Sequence, residues 1–176
     1  MFEVSLDLAA MSMFLYAFRE REMILDVFEL VSGQRMMTTY IQPGGLWRDV
    51  PAEFDSLVRK FLDVMPRRLD EYESLLTKNP LFLDRTRGIG KIDTETCLKW
   101  SVTGPVLRAT GMVHDIRKSN PYSGIDQYDF NIPTQTAGDV YARYLVRVAE
   151  MRESLKIIRQ ALDKLPGGPV RDNKPR

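Results

Sequence analysis

The strongest constraint on the fold is a run of apolar residues near the C-terminal end whose spacing alternates between three and four. The run consists of Tyr141, Tyr144, Val148, Met151, Leu155, Ile158, Leu162 and Leu165. This spacing places every member on one face of an α-helix. Asp139 precedes the run as an N-cap, and Pro166 with the two glycines behind it stops it. The pattern therefore predicts a helix over 139–165 that buries one side.

Two further stretches show helical spacing. One begins at Pro51, which suits the first position of a helix. Its apolar residues are Phe54, Leu57, Phe61, Met65, Leu69, Tyr72 and Leu76. Pro66 lies inside this pattern and removes one backbone donor, so we expect a kink there. We predict a second long helix over 51–78, in addition to a first one over 2–32.

Three long amphipathic helices must bury their apolar faces against one another. An antiparallel bundle does this economically. We therefore predict a mainly α fold, a long-helix bundle within a single domain over 1–176. An irregular, loop-rich excursion over 79–138 separates the second and third long helices. Within it the pattern favours short helices at 81–86, 94–101 and 106–117, and a short extended piece over 127–132.

The first long helix carries a less regular apolar stripe. Its members are Phe14, Phe18, Leu25, Phe28 and either Val31 or Ser32, and we expect them to face the core. The stripe is interrupted where Arg21 occupies an apolar position.

Acidic residues crowd the C-terminal half of the first helix. Glu22, Asp26 and Glu29 fall at i, i+4 and i+7 on a shared face, where like charges repel unless a basic group lies opposite. Arg21, Glu22 and Asp26 form a solvated helix face, an internal charged network or part of a proton route. Gly33 suits the end of the helix, and we expect Arg35 to reach the last carbonyls.

Composition excludes several classes of function. Basic and acidic residues number 25 and 24, so no overall field draws the protein to nucleic acid. Cys97 is the one cysteine and His114 the one histidine, so we expect no disulfide and no metal site made by this chain alone. The most apolar stretch, from Ala9 to Phe18, is shorter than the roughly 20 residues that span a membrane. The chain opens on helical residues without a capping signal, so we expect it to belong to a longer polypeptide.

Several polar residues admit both a structural and a chemical role. Arg108 lies between two glycines that allow close backbone approach, which indicates packing or a cofactor contact. His114 beside Asp115 is either a structural pair or an oriented base. We interpret Cys97 as a small core residue, and the two tyrosines of the last helix as core residues with their hydroxyls toward an edge.

Five segments occur here in the order found in one known family. They are FREREMILDVFELVSGQR with YIQPGG, then LLTKNPLFLDRTRGIG, SVTGPVLRATG, DIRKSNPYSGIDQYDF and GDVYARYLVRVAEMRESLKIIRQALDKLPGGP. Together they resemble the large hydrophilic quinone-site subunit of respiratory complex I, called the D subunit in bacteria and related to nickel–iron hydrogenase large subunits. The resemblance covers nearly the whole chain but only the middle of the family's length. It implies the same long-helix bundle.

The resemblance also implies a part in NADH:quinone oxidoreduction. In that family electrons pass from NADH through iron–sulfur clusters in other subunits to a quinone, and the reaction drives proton translocation. The quinone lies between this subunit and the small iron–sulfur subunit. We therefore expect quinone bound jointly with that partner, a neighbour like the C subunit of bacterial complex I, and no cofactor held by this chain alone. The implied location is peripheral, on the cytoplasmic face of the bacterial plasma membrane, and the isolated fragment is expected to be inactive.

Three residues receive roles through the resemblance. Asp7 in SLDLAA matches the acid of the family's ALD-x-GA string, which places it in the proton network beneath the quinone headgroup. From the residues alone, Asp7 is an acid in a first helical turn that either stabilises the dipole or needs a polar partner. Met37 and Thr38 match positions near the terminal cluster of the neighbouring subunit.

Three other functions fit the same sequence. A membrane-bound energy-converting hydrogenase needs an early and a late pair of cysteines in the flanking sequence. A ferredoxin-dependent relative of complex I differs only in the electron donor, which binds other subunits. A helical scaffold without redox chemistry would tolerate replacement of Asp7 without loss of electron transfer.

Met37 leads to a prediction about the neighbouring cluster. Complex I relatives usually carry a histidine at this position or one residue later. An imidazole takes up a proton when a nearby cluster is reduced, because its pKa is near neutral, and methionine does not. We therefore expect the cluster to have a lower potential that is insensitive to pH. Redox titration at several pH values measures this, and a potential that falls steadily as the pH rises would contradict it.

Overall fold

The computed structural model describes residues 11–172, which are mainly helical as predicted. In chain order the elements are α1 (Met11–Ser32), β1 (Ile41–Gln42), β2 (Gly45–Leu46), α2 (Phe54–Leu76), α3 (Pro80–Thr86), α4 (Thr94–Lys99), α5 (Gly104–Arg108), α6 (Ile116–Ser119), the 3₁₀ turn Ile125–Gln127 and α7 (Val140–Asp163). The three long helices and the excursion between the second and third lie where the spacing indicates. Residues 2–10 of the predicted first helix, which include Asp7, lie outside the described residues.

The second and third long helices follow their sequence signals closely. The α2 helix continues unbroken through Pro66, in agreement with the in-phase apolar stripe on both sides of it. The Asp139 side chain accepts a hydrogen bond from Ala142 N at 2.7 Å and caps α7. A second bond, 2.7 Å long, joins the same carboxylate to Gly88 N and ties the start of α7 to the excursion.

The main core lies where α1 and α7 pack on α2. Its buried members are Met13, Met65, Leu69, Tyr72, Leu76, Phe82, Tyr144 and Val148. Phe82 from α3 closes one end, with its ring centroid 5.0 Å from that of Tyr144 in an edge-on contact. Each large apolar side chain buried here contributes roughly 1.5–3 kcal/mol relative to exposure.

The stripe predicted for α1 is confirmed at Leu25 and Val31, which are buried, and wrong at Phe18 and Phe28. The buried residues of α1 are Met13, Ala17, Glu20, Leu25 and Val31, whereas Phe18 and Phe28 are each 41% exposed. Apolar residues occur on both sides of α1, so spacing alone does not decide which side faces inward. The side with the small Ala17 faces the core, and most of the aromatic residues are left outside.

The buried faces of the other two long helices differ from prediction at one end. In α2 the buried residues near the start are Val58 and Leu62, while Phe61 packs at the edge of the core. In α7 Ala142 and Val146 pack on Ala109 and form a second buried side. This happens because α7 has α2 on one flank and α5 on another. Near its far end, Ile158 and Leu165 are exposed.

In the excursion the structure differs from prediction over 106–117, and over 127–132 Tyr128 is extended but Gln127 belongs to the 3₁₀ turn. The helix expected over 106–117 is two short helices, α5 and α6, because Gly111 has φ 101° and the backbone leaves the helical region there. The piece expected over 127–132 contains no strand. Its Asp129 and Asn131 amides donate instead to Gln160 and Glu153 on α7, at 2.9 and 2.8 Å.

The segment after α7 returns to the loop between α1 and α2. Leu46 N donates to Val170 O and Asp172 N donates to Gly44 O, both at 2.8 Å, so this segment lies along the β1–β2 hairpin. Gly45 is required here, because its φ is 142° and a Cβ would lie 2.3 Å from Val170 O. These hydrogen bonds tie the loop that follows α1 to the segment after α7.

Candidate functional site: the outer face of α1 and the loop that follows it

The loop over 33–50 carries two of the residues that the resemblance selected. Met37 is 85% exposed, and Thr38 beside it is exposed too. Met37 has φ 55°, in the left-handed region that residues with a Cβ adopt at a cost. Met36 is exposed as well, so neither methionine fills a gap in the core. Both methionine side chains are therefore largely exposed on this loop.

The end of α1 is capped by an arginine from this loop. Arg48 Nε donates to Val31 O at 3.1 Å, and its Nη2 donates to Leu30 O at 2.5 Å. These are carbonyls that the helix itself leaves without a partner. The same guanidinium lies 4.9 Å over the Trp47 ring. The prediction that Arg35 reaches these carbonyls is therefore wrong, since Arg48 takes that role.

Arg35 binds the acidic residues of α1. Its Nη1 donates to Asp26 Oδ1 and to Glu29 Oε2, each at 2.9 Å, and its Nη2 donates to Glu22. The hydrogen bonds to Asp26 and Glu29 raise the pKa of Arg35 further above its ordinary value, so it stays charged. The basic group that the spacing of these acids required is thus present. Arg21 does not join them, because its Nη2 contacts Met36 Sδ at 3.8 Å.

The side of α1 that points away from α2 is a continuous stripe of two halves. It comprises Met11, Leu15, Phe18, Glu22, Asp26 and Glu29, all exposed and spaced by three or four residues. We call this stripe the outer face of α1, with an apolar half and an acidic half. At the edge of the apolar half, Phe14 packs on Phe18 with ring centroids 4.7 Å apart.

The inner face of α1 contains a buried carboxylate that sequence reasoning missed. Glu20 is 4% exposed and accepts a hydrogen bond from the Tyr72 hydroxyl of α2. Arg19 Nε lies 2.5 Å from Glu20 Oε1 and Arg68 Nε lies 3.2 Å from it. Glu71 pairs with both arginines. The burial of an acid between two helices is therefore compensated by charge and hydrogen bonding.

Tyr72 is suited to be the donor in this contact. Burial, followed by the hydrogen bond to Glu20, raises the pKa of Tyr72, so the phenol keeps its proton. A signal for Glu20 was present in the sequence, since it lies three and seven residues after Ala17 and Met13 on one helical face. The phenylalanines of the opposite side obscured it.

A second buried ionic cluster holds the excursion to α7. Arg108 donates to Glu150 Oε1 from Nε at 2.6 Å and to His114 O from Nη1 at 2.9 Å. Asp115 pairs with Arg117 at 2.6 Å and lies 3.9 Å from Arg108. His114 thus contributes its backbone oxygen, and Asp115 bonds to arginine. This arrangement supports the structural interpretation of Arg108 and of the His114–Asp115 pair.

Among the described residues, Cys97 and the two tyrosines near the start of α7 contact only residues that stabilise the fold. Cys97 is completely buried. The Tyr144 hydroxyl lies 2.9 Å from Thr77 Oγ1, and the Tyr141 hydroxyl donates to Thr77 O at 2.9 Å.

Over 11–172 there is no group of three or more His, Cys, Asp or Glu residues that could hold a metal ion. Within the same residues, no helix has both the length and the apolar character needed to cross a membrane.

The described residues form a mainly helical bundle, and one side of α1 carries the exposed apolar residues Met11, Leu15 and Phe18. Residues 7–176 match the family model for the respiratory-chain NADH dehydrogenase 49 Kd subunit, and the chain belongs to that family. It is 63% identical over 161 residues to the NADH-quinone oxidoreductase D subunit 2 of Roseiflexus sp. (strain RS-1), covering 92% of this chain and 39% of the relative.

Two further relatives agree with this assignment. The D subunit 2 of Chloroflexus aurantiacus is 57% identical and the D subunit of Thermus thermophilus is 53% identical, each covering 97% of this chain and 42% of the relative. The chain therefore spans about two fifths of the length of the relatives it matches.

Replacing Tyr72 tests the buried contact between α1 and α2. Tyr72→Phe removes the donor to a buried carboxylate, so we expect the free energy of unfolding to fall by about 1.5–3 kcal/mol. Tyr144→Phe is the matched control, because that hydroxyl bonds to a neutral threonine, and its loss should cost about 0.5–1.5 kcal/mol. Denaturant unfolding of the full-length subunit measures both, and a smaller effect at Tyr72 than at Tyr144 would contradict the expectation.

Replacing Asp115 tests the ionic cluster of the excursion. The Arg117 guanidinium holds the pKa of Asp115 below its usual value despite burial. The stability that this provides is present above the ordinary aspartate pKa of about 3.9 and is lost as the pH falls through the lower folded value. Asp115→Asn should therefore cost about 1–3 kcal/mol at neutral pH, and the difference from wild type should shrink at about pH 3.

Urea unfolding of the full-length subunit at the two pH values measures this difference. Asp63→Asn serves as the control, because Asp63 is exposed and forms no ion pair with the described residues. A deficit in Asp115→Asn that is as large in acid as at neutral pH would show that charge is not the cause.

Proposed function

We propose that this chain is the central part of the quinone-binding subunit of an NADH-quinone oxidoreductase. In this assembly electrons pass from NADH through iron–sulfur clusters of other subunits to the quinone, and the reaction is coupled to proton translocation. The family match over residues 7–176 is the observation that carries the proposal. The sequence contains one cysteine, which agrees with clusters held by other subunits.

The apolar half of the outer face is suited to form one wall of a quinone pocket. A quinone is a flat apolar ring with two carbonyl oxygens, so its site needs apolar walls and a few polar groups that orient it and supply protons. Leu15, Phe18 and the adjacent Phe14 offer such a wall. Asp7 precedes these residues in the chain, and we propose that it belongs to the proton network of the bound quinone.

The loop after α1 is suited to contact the small iron–sulfur subunit. Met36, Met37, Ile41 and Trp47 are exposed, while the backbone beneath them is held by Arg48 and by the segment after α7. Exposed apolar side chains on an anchored backbone are typical of a surface that another protein covers. We propose that Met37 and Thr38 face the cluster of that small partner. We also propose a neighbour like the C subunit of bacterial complex I and a peripheral position on the cytoplasmic face of the bacterial plasma membrane.

Replacing Asp7 tests the proposed function. Asp7→Asn, placed in the full-length subunit of the assembled oxidoreductase, should lower quinone reduction about 100-fold, the scale on which a positioned proton donor contributes. NADH oxidation by an artificial acceptor should not change, because its electrons leave before the quinone site. Asp63→Asn is the control for removing an acid elsewhere. Normal quinone turnover in Asp7→Asn would refute the role of Asp7 and favour a scaffold.

A further inference from the structure

The N-terminal half of α1, residues 11–20, has few apolar contacts with the core. Its buried apolar residues are Met13 and Ala17. Leu15 and Phe18, which have more apolar surface than Ala17, lie on the outer face instead. Hydrophobic stabilisation is roughly proportional to the apolar area removed from water. Apolar contacts alone therefore hold this half of α1 only weakly on the rest of the bundle.

Polar contacts between α1 and α2 are concentrated at the end of this half. Glu20 accepts a hydrogen bond from the Tyr72 hydroxyl, and Arg68 Nε lies 3.2 Å from Glu20 Oε1. In the same turn, Arg19 Nη2 pairs with Glu71 Oε2 at 3.2 Å. Glu20 is almost fully buried, so water competes little for its contacts, and they are stronger than the same contacts at the surface. Glu20 is therefore the centre of the attachment of α1 to α2.

The apolar half of the outer face lies on the same turns of the helix as this attachment. Phe18 and Leu15 precede Glu20 by two and five residues, which places them about 200° and 140° from it around the helix axis. Along the axis both lie within about 8 Å of Glu20, at 1.5 Å per residue. A movement of Glu20 away from α2 therefore moves these two side chains as well.

We propose that Glu20 is a positioning residue of the quinone site. Its contacts with Tyr72 and Arg68 hold the N-terminal half of α1 on α2, and in this position Leu15 and Phe18 form the apolar wall. This inference rests on the proposed function, which places the quinone against these two side chains. Glu20 lies on the opposite side of the helix and does not touch the quinone, so it acts through the position of the wall.

Met13 reports whether α1 is attached to α2. It is 2% exposed and lies in the same core as Met65 of α2. Hydrogen peroxide converts an accessible methionine thioether to the sulfoxide and is itself reduced to water, and mass spectrometry measures the product. In the full-length subunit, Glu20→Ala should raise the rate of Met13 oxidation about tenfold, the scale of losing one buried hydrogen bond to a charged group. Met65 should react as in wild type, because α2 stays in place.

Two outcomes of this measurement would overturn the proposal. An unchanged rate at Met13 would show that Glu20 does not hold α1. An equal increase at Met65 would show that the whole bundle opens, and not α1 alone.

Glu20→Gln is the milder variant. Its amide oxygen still accepts from the Tyr72 hydroxyl, but the charge that pairs with Arg68 is lost. We therefore expect Met13 to oxidise faster than in wild type and more slowly than in Glu20→Ala. Any other order of the three rates would overturn the proposal.

Tyr144→Phe is the matched control. It removes a buried tyrosine hydrogen bond from the same core, but that bond joins α7 to Thr77 and does not involve α1. Met13 should be oxidised as slowly as in wild type. A rate as high as in Glu20→Ala would show that loss of core stability, and not the attachment of α1, exposes Met13, and would overturn the proposal.

Quinone kinetics of the assembled oxidoreductase test the link to the site. A displaced wall weakens quinone binding but leaves the supply of electrons and protons intact. Glu20→Ala should therefore raise the KM for a short-chain quinone about tenfold and change kcat by less than about twofold. Tyr144→Phe should leave both constants unchanged.

An unchanged KM in a Glu20→Ala subunit whose Met13 is exposed would overturn the positioning role. The proposed function fails by a different result, which is normal quinone turnover in Asp7→Asn. Methionine oxidation needs no quinone, so failure of the attachment at Glu20 is distinguishable from failure of the quinone site.

Discussion

The burial of Glu20 against Tyr72 decides which side of α1 faces the core, and the rest of the surface follows from it. A carboxylate in this position has to keep its phenol donor and its arginine partners, because an unpaired charge at the interface of two helices is costly. Tyr72 lies in the C-terminal third of α2, on which both α1 and α7 pack. Once Glu20 points inward, Met11, Leu15 and Phe18 have to point outward.

Arginines then connect the surface elements to this frame. Arg48 caps the end of α1, Arg35 draws the loop onto the acidic half, and Arg68 joins α2 to Glu20. Farther along the chain, Arg108 holds the excursion to Glu150 of α7. A guanidinium suits these positions because its five donors bind carbonyls and carboxylates at the same time. The loops are therefore tied to the long helices by side-chain contacts although they contain little regular structure.

The resemblance carried by the five ordered segments is confirmed by the family match, and the mainly α fold with its excursion is as predicted. The roles of Asp7, Met37 and Thr38 stay predictions. The acidic residues Glu22, Asp26 and Glu29 show how much the sequence alone can predict. Their spacing required a basic group opposite, and Arg35 is that group, although helix-end rules had assigned Arg35 to the carbonyls that Arg48 caps.

The sequence by itself determined the positions of the long helices, the interruption of the excursion by glycine and proline, and the cap at Asp139. These features depend on neighbours within a few residues, whose spacing and backbone preferences are legible in the chain. Only the tertiary structure decided which side of α1 is buried and that Ala142 and Val146 make a second buried side on α7. Those outcomes depend on which helix lies opposite. Apolar residues occur on more than one side of these helices, so their spacing does not decide which side is buried. Side chains distant in sequence decide it, as Tyr72 does for Glu20.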